Sequence, residues 1–296
     1  MIPVLQNVGP ETFAACIAFI EPREYRCISL MSHLVAPEGP VFPEKAVKDF
    51  VYLSKNDGAS GIDGILLLGH NGILFHCLHE NLDEKAYETV LAEFLSKRKI
   101  HCVLGEHSGT RFLERLIPAK FDTGIDFQLM TLETVPPDGQ SGPTRIPALE
   151  DGKITIAKGT KRDIDELLPL QEGYELEEVV PPNGLFNRAA CRANLARNLE
   201  KQHIYYAESG KAYIAKAGTN ALGLNWEQIG GVYTAPGFRG QGIAAFLVAH
   251  TARERMRTGR KIALFVKESN IFALKSYKNA GFTPKNLFRI TYFTYN

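Results

Sequence analysis

The sequence predicts a mixed α/β protein with two domains in tandem, and three observations support this. Apolar residues follow strand-like and helix-like periods in turn along the whole chain. Near the middle, Pro136-Pro137-Asp138-Gly139-Gln140-Ser141-Gly142-Pro143 is rich in turn formers and poor in apolar residues, as a linker is. On either side the elements follow a similar order of helix, hairpin, helix, strand, helix and strand. The expected division is a domain over 1–135, a linker over 136–152 and a second domain over 153–296.

In the first half, 13–34 reads as helical. Residues 65–68 and 73–78, joined by Gly69-His70-Asn71-Gly72, read as a hairpin. A helix over 83–98, a strand over 101–104, a short helix over 110–116 and a strand over 126–132 follow. In the second half a strand is expected over 154–157 and a helix over 163–178, which Pro169 and Gly173 must bend or interrupt. A hairpin of 204–207 and 212–217 turns at Ser209-Gly210. After it come a strand over 228–234, a helix over 240–257, a strand over 262–266, a helix over 271–279 and a closing strand pair from Phe288 onward.

A chain of 296 residues with 45% hydrophobic content supports a sizeable core in each domain. With 34 basic and 33 acidic side chains there is no global field to attract nucleic acid or an anionic membrane, so neither is expected as a partner. The first twenty residues lack the basic start and unbroken apolar run of a secretory signal, and no run nears the roughly 18 apolar residues of a membrane span. The five scattered cysteines argue against a disulfide framework, so a cytoplasmic location is expected. His76, Cys77, His79, His101 and Cys102 lack the paired spacing of a zinc site, and no metal is expected.

The segment from Gly230 to Ala244 runs from a strand through a tight loop into a helix. First-turn amides have no partner within their helix and the helix dipole places positive charge there, so such a junction is suited to a diphosphate. Gly240 and Gly242 remove side chains that would keep the backbone from the oxygens. An ordinary glycine-rich turn would read similarly. A Walker-type loop is disfavoured, because no Gly-Lys-Ser or Gly-Lys-Thr ends the turn, and too little chain follows for a doubly wound dinucleotide sheet.

Further on, Asn270 can cap the helix over 271–279, Ala273 and Tyr277 share one helical face, and Gly281 stands where a left-handed C-terminal cap belongs. Taken alone, Tyr277 could be a core aromatic.

Together the two blocks resemble the GNAT (GCN5-related N-acetyltransferase) superfamily. Arg239, Gly242 and Ala244 fill the fixed places of its Arg/Gln-x-x-Gly-x-Gly/Ala motif, and Asn270, Ala273, Tyr277, Gly281 and Phe282 fill those of its second block. The resemblance is strong over 229–282 and loose over the rest of the second half. It implies a mixed, mostly antiparallel sheet flanked by helices, with acetyl-CoA as cosubstrate. It further implies that Val232, Tyr233 and Thr234 hold the pantetheine arm by backbone hydrogen bonds, as an added strand would. Arg239, Gly240, Gln241, Gly242, Ile243 and Ala244 would hold the diphosphate, Asn270 would touch the arm, and Tyr277 would be the general acid for the leaving thiolate. Of the strand amides, alternation favours Val232 and Thr234. Tandem members of the family suggest that the first half is a degenerate copy: Leu82-Asp83-Glu84 at its matching helix start would repel a diphosphate.

A general base is harder to place. Glu227 starts the cofactor strand, but alternation puts Gln228, Gly230, Val232 and Thr234 on one face and Glu227 on the other unless a bulge at Gly230-Gly231 shifts the register. Glu172, Glu175, Glu177 and Glu178 are the other candidates, and water is an alternative. Arg253, Arg255, Arg257, Arg260 and Lys261 complement a helix C-terminus, with one of them free to meet the 3'-phosphate of coenzyme A. The expected function is acyl transfer, in the simplest case of acetyl, from acyl-CoA to a primary amine. A catalytically silent acyl-CoA sensor or assembly module and a peptide or protein acetyltransferase are the alternatives. The first half would shape the acceptor pocket, pack on the catalytic half or mediate a homodimer.

Overall fold

A computed structural model of the chain describes residues 3–55, 61–134, 151–180 and 184–295. It divides into two compact units: Met1–Leu129 with Gly223–Trp226 and Pro284–Asn296, and Met130–Leu222 with Glu227–Thr283. Most of the expected linker, 136–150 of 136–152, lies outside the described residues.

The first unit contains β1 (Val4–Asn7), α1 (Pro10–Ile20), α2 (Ile28–Met31), the short pair β2 (Val35–Ala36) and β3 (Gly39–Pro40), β4 (Asp49–Ser54), β5 (Ile62–Leu68), β6 (Ile73–Leu78), α3 (Glu84–Ser96), β7 (Cys102–Glu106), α4 (His107–Leu116) and most of β8 (Lys120–Leu132). In the second unit are β9 (Ile154–Lys158), α5 (Ile164–Tyr174), α6 (Arg188–Lys201), β10 (Ile204–Ser209), β11 (Ala212–Leu222), β12 (Trp226–Thr234), α7 (Ile243–Met256), β13 (Lys261–Lys267) and α8 (Ile271–Asn279). A last strand, β14 (Thr283–Thr294), pairs antiparallel with β7 from Phe288↔Glu106 to Tyr292↔Cys102, so residues at the chain's end complete the first unit. Arg289 on that strand is buried, and its guanidinium donates to Glu114 at 2.9 Å and Asp126 at 2.7 Å. A buried charge is tolerated when its hydrogen bonds are filled in this way.

Within the first unit β1–β4–β5–β6 are antiparallel neighbours and β6–β7 run parallel. In the second unit the order is β13–β12–β11–β10–β9. Both units are thus mostly antiparallel sheets flanked by helices, with a parallel pair in the first. One face of the second sheet packs on α7 and α8 through Ile229, Leu247, Val248, Leu264 and Tyr277, and the other on α5 and α6 through Leu167, Leu168, Leu195 and Tyr206. Among the described residues no helix is long and apolar enough to cross a membrane.

Several elements differ from the sequence expectation. The helix over 13–34 is broken into α1, a 3-10 turn Glu21–Arg26 and α2, because Cys27 leaves helical geometry (φ −142°, ψ 35°) after Pro22. The helix over 163–178 ends at Tyr174 and continues as a π-helical turn, Glu175–Val179. α6 is unexpected. Its apolar stripe is only Cys191, Leu195 and Leu199, although Asn187 caps it by accepting from the Ala190 amide. The expected closing pair is one continuous strand, β14.

Candidate functional site

The centre of the site is a bulge in β12. Lys216 pairs with Tyr233 and Gly218 with Gly230, so Gly231 and Val232 together stand opposite Ala217. Gly231 takes φ +61°, a conformation that costs a side-chain-bearing residue energy, which explains glycine at the extra position. The bulge resets the alternation: Ile229 and Val232 both pack on the α7–α8 core, while Tyr233 packs on the α5–α6 core. The single shared face expected for Gln228, Gly230, Val232 and Thr234 is therefore not formed. The Ala235 amide donates to Ile214 O at 2.8 Å, so strand alternation turns the Tyr233 amide toward β11 and the Val232 and Thr234 amides away from it.

After β12 the chain turns through Pro236–Phe238 into Arg239, Gly240, Gln241 and Gly242, all four exposed. Gly240 and Gly242 adopt φ +76° and +80°, and a Cβ on Gly240 would meet nothing within 4 Å, which leaves the loop backbone open to solvent. Ile243 is buried and anchors the first turn of α7, where Ala244 follows half-buried. Gly242 is the N-cap of α7 and brings no side-chain cap, so the first-turn amides keep their capacity for an anion. The matching helix of the first unit, α3, is closed by Asp83, whose carboxylate accepts from the Ala86 amide. Buried Thr234 Oγ1, at the end of β12, has no hydrogen-bond partner among the described residues. A hydroxyl without a partner at the end of β12 and an uncapped helix start fit the thioester arm and diphosphate of coenzyme A.

Arg239 does not point away from the protein. Its guanidinium donates to Thr234 O at 3.0 Å and to both Glu177 oxygens at 2.7 and 2.9 Å, and the Tyr233 hydroxyl donates to the same carboxylate at 2.9 Å. Arg239 holds the Glu177 carboxyl below its usual range. Nothing in the sequence signalled this contact.

On α8, Asn270 accepts from the Ala273 amide at 3.0 Å and so caps the helix, which leaves its side-chain NH2 free for a ligand. Gly281 closes the helix at φ +93°, with the Phe282 amide bonded to Tyr277 O as in a Schellman cap. Tyr277 is buried with its ring 6.2 Å from that of Phe282. Burial, helped by the charge of Glu178 and by Tyr174, pushes its phenol up to about 12, so it keeps its proton at neutral pH.

Each proposed base carboxylate except Glu175 is bound to a cation. Glu227 is buried and grips Arg255 at 2.8 and 3.0 Å, with Arg260 at 3.7 Å; Glu172 meets Arg188 at 2.5 Å; Glu178 meets Lys267 at 2.6 Å. Arg255 and Arg260 thus serve Glu227 at the far end of α7, while Arg257 pairs with Glu254 and Lys261 with Glu133. Glu175 accepts from Gln171 Nε2 at 3.0 Å.

The sequence expectation passed over Lys216, which is only 3% exposed. Its ammonium donates to Gly231 O in the bulge at 2.7 Å and stands 4.9 Å from the Tyr174 ring centre. The available signal was a lysine within the small, apolar strand run Ala212–Leu222. Burial lowers its pKa to about 8, against the attraction of Cys191 and Glu175. The folded value lies below the unfolded one, so the ammonium is disfavoured by folding below about pH 8, and stability is gained as pH rises from there toward the ordinary lysine value. Lys216→Met is therefore expected to stabilise the fold below pH 8 by up to about 3 kcal/mol, with the gain shrinking at higher pH. Urea unfolding at pH 7 and pH 10 checks this, and a variant less stable at pH 7 would contradict it.

Strand, bulge, glycine loop and helix, followed by a strand and a second capped helix, define a GNAT-type fold. Residues 170–282 match the model of the Acetyltransferase (GNAT) family, and the second half of the chain carries a domain of that family. No curated protein sequence matches the chain. Among solved structures, a Drosophila protein aligns over 98% of this chain and 98% of its own at 11% identity, with a TM-score of 0.64. A tandem GNAT protein from the clavulanic acid biosynthesis pathway aligns over 99% of each chain at 14% identity (TM-score 0.57), and a GNAT-family acetyltransferase from Colwellia psychrerythraea over 98% and 100% at 10% (0.54). At these identities the likeness concerns the fold. The family implies acyl transfer from acyl-CoA.

Proposed function

We propose that the second unit transfers an acyl group, in the simplest case acetyl, from coenzyme A to a primary amine by direct attack, with Tyr277 as general acid. The observation that carries this reading is the pairing, in one unit, of an uncapped glycine-lined helix start with a buried tyrosine that keeps its proton. When bound, coenzyme A supplies a thioester open to an amine. The amides from Gly242 to Ala244 hold the diphosphate, with Arg239, Gly240 and Gln241 lining the approach. The outward amides of Val232 and Thr234 hold the arm, and the free NH2 of Asn270 reaches it. Tyr277 Oη holds the proton that the departing sulfur requires. Water removes the proton of the incoming ammonium, since three of the four nearby carboxylates, and Glu227, are held by cations. The acceptor is a small molecule or peptide; nucleic acid and membrane have no role, and the active form is a cytoplasmic monomer or homodimer.

Coenzyme A and acetyl-CoA are expected to raise the thermal midpoint by several degrees at ligand concentrations about 100-fold above Kd. No shift at millimolar ligand would end the proposal at its first step.

A further inference from the structure

A buried charge is ordinarily matched by an opposite charge. Lys216 is not: among the described residues its ammonium has no carboxylate within 4 Å, and of its three N–H donors the Gly231 carbonyl takes one. The ammonium lines a small cleft that opens to solvent, together with Gln171, Tyr174, Asn198, Thr219 and Asn220. Gly230 and Gly231 form part of its wall, so the cleft abuts the bulge of β12.

We propose that this cleft is the acceptor pocket and that it takes a small amine carrying a carboxylate, which Lys216 holds through a charge-assisted hydrogen bond while the amine faces the bulge. The inference rests on the acyltransferase reading. It narrows the acceptor class from any primary amine to amino acids and related amino carboxylates. The carboxylate supplies the charge that burial otherwise leaves unmatched, and the side-chain amides of Gln171 and Asn198 provide further polar contacts. The lowered pKa supports the same picture, since a bound anion would restore the favoured charge of the lysine.

The test pairs amino acids with the amines that lack the carboxylate: alanine with ethylamine, phenylalanine with phenethylamine, lysine with cadaverine. Thiol release from acetyl-CoA is measured with each. At least one amino acid is expected to exceed its partner roughly 10- to 100-fold in kcat/KM, mainly through KM. Lys216→Met should erase that ratio while leaving KM for acetyl-CoA within about two-fold, and a thermal shift with coenzyme A verifies that the variant is folded. Partners lacking the carboxylate that react as well as the amino acids would overturn the proposal. So would a Lys216→Met variant that loses kcat equally with both members of a pair, because the lysine would then serve the reaction and not the carboxylate. If nothing is turned over, calorimetry of the same pairs with the coenzyme A-loaded protein decides, and binding without carboxylate preference, or no binding, overturns it. Failure to bind coenzyme A at all would instead count against the acyltransferase reading.

Discussion

Tyr277→Phe is expected to lower kcat by about 100-fold or more while Kd for coenzyme A changes little, because a positioned general acid contributes about 10²–10⁴-fold. The change removes one oxygen from a side chain that packs with Phe282 and Ala280 in the α7–α8 core, so the fold should tolerate it. With the phenol pushed up to about 12, Tyr277 remains a proton donor through neutral and mildly alkaline pH. The wild-type rate should therefore show no falling limb from this group until pH approaches that value. Steady-state kinetics beside calorimetry separate the two effects. Unchanged turnover would assign the proton to another group, and a wild type that binds coenzyme A but consumes no acetyl-CoA with any amine would favour a silent sensor.

Gly242→Asp is expected to weaken coenzyme A binding by at least about 30-fold, since charge-assisted hydrogen bonds are worth roughly 1.5–3 kcal/mol each. The substitution would give α7 the acidic cap that α3 already has in Asp83. The carboxylate would accept from the first-turn amides and repel the diphosphate. Aspartate tolerates left-handed backbone better than most residues, so the strain at φ +80° should cost little beside the loss of binding. Gly242→Asn offers the same shape without charge and should fall between the two. Titration calorimetry with coenzyme A checks the order, and an Asp variant that binds as tightly as wild type would remove the loop from the diphosphate site.

Local sequence made part of the site legible. Asn270, Ala273, Tyr277 and Gly281 lie within one helix and its caps, and their spacing alone places them together. The Gly240–Gly242 loop is legible because left-handed backbone and glycine go together. The pairing of Glu177 with Arg239 and of Glu227 with Arg255 was not legible, because each joins residues far apart in the chain. Lys216 was missed for the same reason: the cost of burying a charge is visible only once the neighbours that bury it are known.

Much of the order of elements, the glycine loop before α7 and the capped helix α8 are set by residues close together in the chain, where period, glycine and capping chemistry act locally. Tertiary structure alone decided that β14 completes the first unit, because strand pairing with β7 and the buried contacts of Arg289 depend on partners more than 150 residues away. It also decided which side chains of β12 face which core, since one extra residue at Gly231-Val232 reverses the alternation that a sequence read straight through would assume.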